Sequence, residues 1–89
     1  MGKAVWKCTL SVGGFTDLLL PVGAKPLLVA LQRGVLCLWV EVEPGKGCQE
    51  VRRFDVYGTG HPIMSVKPCY VGTCFDGPLV WHVFESEVG

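Results

Sequence analysis

The chain has 89 residues, which is enough for one domain. Eight Lys and Arg residues balance eight Asp and Glu residues, so the formal net charge is +0. The only adjacent basic pair, Arg52-Arg53, lies between Glu50 and Asp55, whereas nucleic-acid backbones bind clusters of Lys and Arg. Apolar residues make up 49%, yet no apolar run reaches the ~18–20 residues of a membrane helix. We expect neither a nucleic-acid nor a membrane partner.

Seven segments rich in Val, Leu, Thr and aromatic residues, separated by Gly and Pro, predict β-strands. In chain order they are Ala4–Leu10, Thr16–Leu20, Leu27–Gln32, Val35–Val42, Val51–Tyr57, Tyr70–Phe75 and Leu79–Glu85. Short strands at regular spacing predict an all-β fold, a small antiparallel sandwich or barrel of about seven strands with little or no helix. Residues 1–89 are interpreted as a single β domain.

Three connections stand out between these strands. Arg33-Gly34 predicts a two-residue hairpin, and Asp76-Gly77 predicts a second one, with Pro78 at the entrance of the next strand. The stretch from Gly58 to Lys67 is the longest irregular segment. Such loops carry function more often than core strands do.

The strand at 35–42 is apolar on both faces. One face carries Val35, Cys37 and Trp39, and the other carries Leu36, Leu38, Val40 and Val42. A strand of this kind must be covered on both sides, and a thin domain has little to cover the second side with. The mean hydropathy of +0.39 is also high for a short soluble chain. We therefore expect a homo-oligomer.

Five cysteines, an odd number with no C-x-x-C motif, argue against a secreted disulfide scaffold and favour the cytoplasm. His61 and His82 could join Cys69 or Cys74 at a zinc ion, but Cys69 and Cys74 lack the usual close spacing. We expect no metal and no cofactor.

The candidate ligand loop is Tyr57-Gly58-Thr59-Gly60-His61-Pro62. Its glycines permit positive φ or close approach to a ligand, and its amide groups could form an anion-binding nest. It matches neither the phosphate loop nor the dinucleotide fingerprint, so a plain strand-exit turn is the competing interpretation. The predicted ligand contacts are Tyr57, Gly58, Thr59, Gly60 and His61, with Arg52 or Arg53 on a phosphate.

No sequence context marks a catalytic nucleophile or a pair of catalytic carboxylates, so we expect a protein that is not an enzyme. His82 lies in an apolar strand, where a histidine is more often a hydrogen-bonded core or interface residue. Trp39 and Trp81 could stack on a planar ligand, but their mid-strand positions favour a role as core or interface anchors.

Four stretches of the chain carry a family resemblance because they occur together in one order: GVLCLW at 34–39, GTGHPI at 58–63, YVGT at 70–73 and LVWHVFE at 79–85. With them, the chain resembles a family of short, functionally unassigned proteins from tailed phages and prophages. The resemblance implies a phage accessory protein in the host cytoplasm, and it implies no known chemistry. Small phage proteins often inhibit host defence, and some sequester nucleotide messengers in oligomeric β-rich pockets; this is an analogy of gene context.

The leading hypothesis is a non-enzymatic binding protein that sequesters a small anionic ligand, such as a signalling or cyclic nucleotide, to counter host defence. The alternative is a structural or protein-interaction module, either a virion component or an inhibitor of a host protein. A hydrolase that uses His61 or His82 is the third hypothesis.

Overall fold

A computed structural model describes residues 2–45 and 47–88. The strands are β1 (Ala4–Thr9), β2 (Phe15–Pro21), β3 (Lys25–Gln32), β4 (Val35–Val42), β5 (Gln49–Gly58), β6 (Cys69–Asp76) and β7 (Leu79–Ser86). All seven predicted strands are confirmed, with ends that differ by at most two residues. The described residues contain no helix, and so none that could cross a membrane.

The strands form two antiparallel sheets. The first has three strands in the order β1-β4-β3, and the second has four in the order β2-β5-β7-β6. The inner faces pack on one another around a shared cluster of buried residues that both sheets supply. The predicted all-β sandwich is therefore confirmed.

The core follows from the period-2 alternation of apolar residues along the central strands. Leu38 and Val40 of β4 face Phe54 of β5 and Val83 of β7, and all four side chains have no exposed surface. The edge strands β3 and β6 also approach closely, because a Cβ at Gly72 would lie only 3.1 Å from Val29 Cγ2.

Both tight hairpins are present, but one differs from its predicted form. Arg33 and Gly34 have φ of 52° and 76°, which matches a two-residue turn with positive φ at both positions. In the second hairpin Asp76 pairs with Leu79, so the turn residues are Gly77 and Pro78 rather than Asp76 and Gly77. Gly77 has φ of 58°, and Pro78 fixes the negative φ that a type II′ turn needs next.

The outer face of the three-stranded sheet carries exposed apolar side chains between polar ones such as Lys7 and Glu41. Val5 and Leu28 are each 57% exposed and lie on the same face as Trp39. Cys37 is buried on this outer face because Lys7 Nζ donates a hydrogen bond of 2.7 Å to Gln32 Oε1 across β4. Strand β4 is thus apolar on both sides, while the homo-oligomer stays a prediction.

Candidate functional site

Residues 58–61 form a β-turn at the end of β5. The His61 amide donates to the Gly58 carbonyl at 3.2 Å, and Gly60 has φ of 90°. A side chain at Gly60 would be strained, because the left-handed region disfavours residues with a Cβ. A Cβ on Gly58 would lie 3.2 Å from the His61 ring. Each glycine therefore has a separate structural reason: Gly60 for its φ and Gly58 for the close approach of His61.

The long loop after this turn is fastened to the outer face of the four-stranded sheet. Tyr57 Oη accepts a hydrogen bond from the Met64 amide at 3.1 Å and lies 2.7 Å from Ser65 Oγ. Ser65 in turn donates to the Asp55 carboxylate, so the Tyr57 hydroxyl donates to Ser65. A second attachment follows, where the Glu87 amide donates to the Val66 carbonyl at 2.9 Å. The loop is therefore held in place on two sides.

His82 lies directly opposite Tyr57 on the neighbouring strand. Its Nε2 lies 2.8 Å from Thr59 Oγ1, and its Nδ1 lies 3.1 Å from Thr73 Oγ1. Thr73 Oγ1 lies 2.6 Å from the Tyr70 hydroxyl. These four residues, Thr59, His82, Thr73 and Tyr70, form a chain of hydrogen bonds that we call the His82 chain. His82 is half-buried on the outer face rather than part of the core.

An irregularity in β6 makes the His82 chain possible. Tyr70 and Thr73 are three residues apart, and simple alternation would place them on opposite faces of the sheet. The pairing of β6 with β7 shifts between Tyr70 and Gly72, so that Tyr70 opposes Phe84 and Thr73 opposes His82. Thr73 lies on the outer face in the regular register of the hairpin, and the bulge brings the Tyr70 hydroxyl to the same face.

Aromatic rings form an apolar wall beside the His82 chain. The Phe84 ring packs edge-on against Tyr57, with centroids 6.1 Å apart, and against Tyr70 at 5.5 Å. Such edge-to-face pairs stabilise their mutual orientation. The wall is therefore a fixed surface on which a flat apolar group could lie.

Two clefts border the turn. The first has a volume of about 220 Å³, and its lining includes Tyr57, Thr59, Ile63, His82 and Phe84. The second has a volume of about 380 Å³, and its lining includes Pro78, Leu79, Val80 and Trp81. Both clefts are also lined by Gly58, Thr59 and His61, so they meet at the turn.

Arg52 points toward the inside of the sandwich, on the same side of β5 as the buried Phe54. Its guanidinium donates to both carboxylate oxygens of Glu85 and, at 2.9 Å, to the Ala24 carbonyl. The bond to Glu85 raises the pKa of Arg52 above its ordinary value. Arg52 is thus engaged in a half-buried ion pair that ties β5 to β7.

Arg53 lies on the outer face, where it is also paired. Its Nε and Nη2 donate to the two Asp17 oxygens at 2.8 and 2.9 Å, and its guanidinium lies 3.9 Å from the Phe15 ring centroid. The hydrogen bond from Arg53 lowers the pKa of Asp17. Tyr57 lies four positions after Arg53 along the extended strand, a distance of about 13 Å.

The structure therefore brings together one part of the predicted site and leaves out the other. Tyr57, Gly58, Thr59, Gly60 and His61 all line the first cleft. Arg52 and Arg53 line neither cleft and have carboxylate partners elsewhere. Sequence reasoning did not select Thr73, Tyr70 or Phe84, whose positions depend on the β6–β7 register.

The remaining candidates are the residues considered for a zinc site and the stacking residue Trp81. Within residues 2–45 and 47–88, no group of three or more His, Cys, Asp or Glu side chains is placed to hold a metal ion. Trp81 borders the second cleft, and its Nε1 donates to Asp76 Oδ2 at 3.1 Å, which fixes the indole.

Comparison with protein families gives one match. A family described as "Domain of unknown function (DUF7352)" matches residues 1–89. The chain belongs to the DUF7352 family. Searches of curated proteins and of solved structures found no significant match. DUF7352 membership thus covers the whole chain and agrees with the expectation of a functionally unassigned family, while it carries no activity over to this chain.

Proposed function

We propose that this protein is a non-enzymatic binding protein that holds a small anionic ligand, such as a signalling or cyclic nucleotide, at the Gly58–His61 turn. The observation that carries the proposal is the first cleft, where a glycine turn, the His82 chain and an aromatic wall converge. Binding sites for small molecules typically combine an apolar surface with a few fixed polar groups.

The ligand chemistry follows from the lining of the cleft. A planar ring would lie against Phe84 and Tyr57, because aromatic faces and edges stack well on flat groups. Thr59, His61 and the amides of the turn would meet the anionic oxygens, since imidazole and backbone N–H groups donate hydrogen bonds. Arg52 and Arg53 stay outside this site because each already pairs with a carboxylate.

The biological setting of the proposal comes from the sequence resemblance. A phage accessory protein in the host cytoplasm, as the resemblance implies, could sequester a nucleotide that signals infection. We propose this anti-defence role for the chain. It needs only tight binding, without turnover of the ligand.

Isothermal titration calorimetry tests the proposal directly, with a panel of cyclic di- and oligonucleotides and ADP-ribose derivatives. We expect saturable heat with at least one member, and an affinity about tenfold lower for His61→Ala, which removes an exposed side chain and leaves the fold intact. Arg53→Ala is the matched control and should bind like the wild type. No heat across the panel would contradict the proposal.

Mass spectrometry of the same mixtures separates binding from catalysis. A bound nucleotide should be recovered unchanged after long incubation. Turnover that disappears in His61→Ala or His82→Ala would support the hydrolase hypothesis instead.

A protein-interaction module is the second candidate function, and the exposed apolar side chains on the outer face of the three-stranded sheet favour it. Val5, Leu28 and Trp39 share this face, which lies on the sheet opposite the turn. Exposed contiguous apolar surface on a small protein typically marks a contact with another protein. A second copy of the chain, covering this face, would also fulfil the predicted homo-oligomer.

Light scattering coupled to size exclusion tests this second candidate. We expect a mass above that of one chain for the wild type, and a monomer for Leu28→Glu, because the new charge would be buried in the interface. A monomeric wild type would contradict self-association through this face.

A further inference from the structure

The two clefts at the Gly58–His61 turn share the same residues at their boundary. Gly58, Thr59 and His61 line both. The clefts lie on different sides of the turn: the first is bordered by His82 and Phe84 of the outer face, and the second by Val80 and Trp81 at the start of β7. A ligand that filled both would pass over the turn.

The first cleft is smaller than the pocket of a complete drug-sized ligand, and the second is close to the smallest such pockets. Ligand pockets commonly measure about 300–1,000 Å³ and enclose most of the ligand. The first cleft, at about 220 Å³, lies below that range, and the second, at about 380 Å³, lies at its lower end. A single ring group fits the scale of either cleft better than a whole ligand does.

Both clefts offer a flat, fixed aromatic surface. Phe84 is held edge-on between Tyr57 and Tyr70 in the first, and the Trp81 indole is held by Asp76 in the second. Leu79, which is 51% exposed, and Pro78 extend the second surface, as Ile63 at 48% extends the first. The two clefts therefore present similar chemistry to a ligand.

The boundary between the clefts is polar. Thr59 and His61 are both exposed on the turn, and Thr59 Oγ1 is held by His82 Nε2 at 2.8 Å. Hydroxyl and imidazole groups suit the oxygen atoms of a linker, whereas the apolar walls suit rings.

We infer that the ligand has two arms: two planar rings, one in each cleft, joined by a linker with anionic oxygens that crosses the turn at Thr59 and His61. This inference rests on the proposed function and specifies the class of ligand. Dinucleotides have this form, and mononucleotides supply only one arm and half of the linker. Linking two weakly bound groups raises the overall affinity because the second group binds intramolecularly.

The test compares cyclic di-AMP, a linear AMP dinucleotide and AMP in calorimetric titrations of the full chain. At least one two-ring probe should bind about tenfold or more tightly than AMP. If AMP binds as tightly as both dinucleotides, the two-armed ligand is wrong and the proposed function stands. If none of the three binds, and the wider panel also gives no heat, both proposals fail.

Three matched variants locate the arms. Ile63→Asp places a charge in the first cleft, Leu79→Asp places one in the second, and Leu19→Asp places one on β2, away from both clefts, as a control. All three positions are exposed, so the fold should tolerate the change, and far-ultraviolet circular dichroism checks it. Ile63→Asp and Leu79→Asp should each weaken dinucleotide binding about tenfold, while Leu19→Asp should not. Full affinity in either cleft variant would overturn the two-armed arrangement.

Discussion

Strand β5 joins two regions whose polar groups are used in different ways. Near its start, Arg52 and Arg53 carry the positive charges of the strand, and both form ion pairs with carboxylates from neighbouring strands. At its end, Thr59 and His61 carry no such ion pair and border two clefts. The two arginines are already paired with carboxylates, whereas Thr59 and His61 line clefts that a ligand could enter.

This difference shows that the charge of a residue does not by itself identify a binding site. A guanidinium that already has two carboxylate oxygens gains little from a phosphate, because it must first give up a pairing of equal geometry. Thr59 and His61 have no ion pair to give up, although Thr59 Oγ1 is hydrogen-bonded to His82 Nε2.

The largest effect is expected at Arg52. Arg52→Ala leaves the Glu85 carboxylate half-buried and the Ala24 carbonyl without this donor, and should lower the free energy of unfolding by about 2 kcal/mol. This is below the value for a fully buried pair because the Arg52 side chain is 17% exposed. Urea denaturation gives the measurement. Arg53→Ala is the control and should have a much smaller effect; equal losses would contradict the assignment of Arg52 as the inner of the two arginines.

The next effect is expected at the turn. Gly60→Ala forces a residue with a Cβ into the left-handed region and should cost about 1–2 kcal/mol of stability. Gly13→Ala is the matched control, because Gly13 lies in a loop with open space around it and its φ is not positive. Urea denaturation should give a lower free energy of unfolding for Gly60→Ala than for Gly13→Ala. Equal stabilities would show that the turn conformation is not required.

A smaller effect is expected where the loop is fastened. Tyr57→Phe removes the hydroxyl that accepts from Met64 and donates to Ser65, and should cost about 1 kcal/mol. Hydrogen exchange of the Met64 amide should become faster. Tyr70→Phe, which loses only the bond to Thr73, leaves this amide protected. Unchanged exchange in Tyr57→Phe would contradict the attachment of the loop.

The smallest effect is expected in the pH dependence of stability, through the Arg53–Asp17 pair. Arg53 holds the pKa of Asp17 below its ordinary value, so this pair contributes stability above the unfolded pKa of about 4 and loses it as the pH falls through the folded value. NMR titration of Asp17 should show its pKa rising toward the ordinary value in Arg53→Ala. An unchanged pKa would contradict the pairing.

Much of the fold could be predicted from the sequence because its signals are local. Segments rich in β-favouring residues between Gly and Pro predict the seven strands, and the positive-φ requirement at Gly34 predicts its hairpin. The second hairpin shows the limit of such signals, since pairing of Asp76 with Leu79 moved the turn by one residue. A one-residue difference in a turn depends on register, which distant strands determine together.

The candidate site was only partly predictable for the same reason. The glycines of the turn are adjacent in the chain, so their pattern is visible. Tyr70 reaches Thr73 only because a bulge in β6 overrides simple alternation. The partner of Arg52, Glu85, lies 33 residues away, and no local pattern indicates that this arginine is already paired.

The most direct test of the binding region is an NMR titration of ¹⁵N-labelled protein with each nucleotide of the panel. The account predicts that amide shifts caused by a bound nucleotide centre on Gly58–His61, with His82 and Leu79 beside them, and that Arg53 is little affected. Shifts that centre on Arg53, or no shifts with any nucleotide, would contradict it.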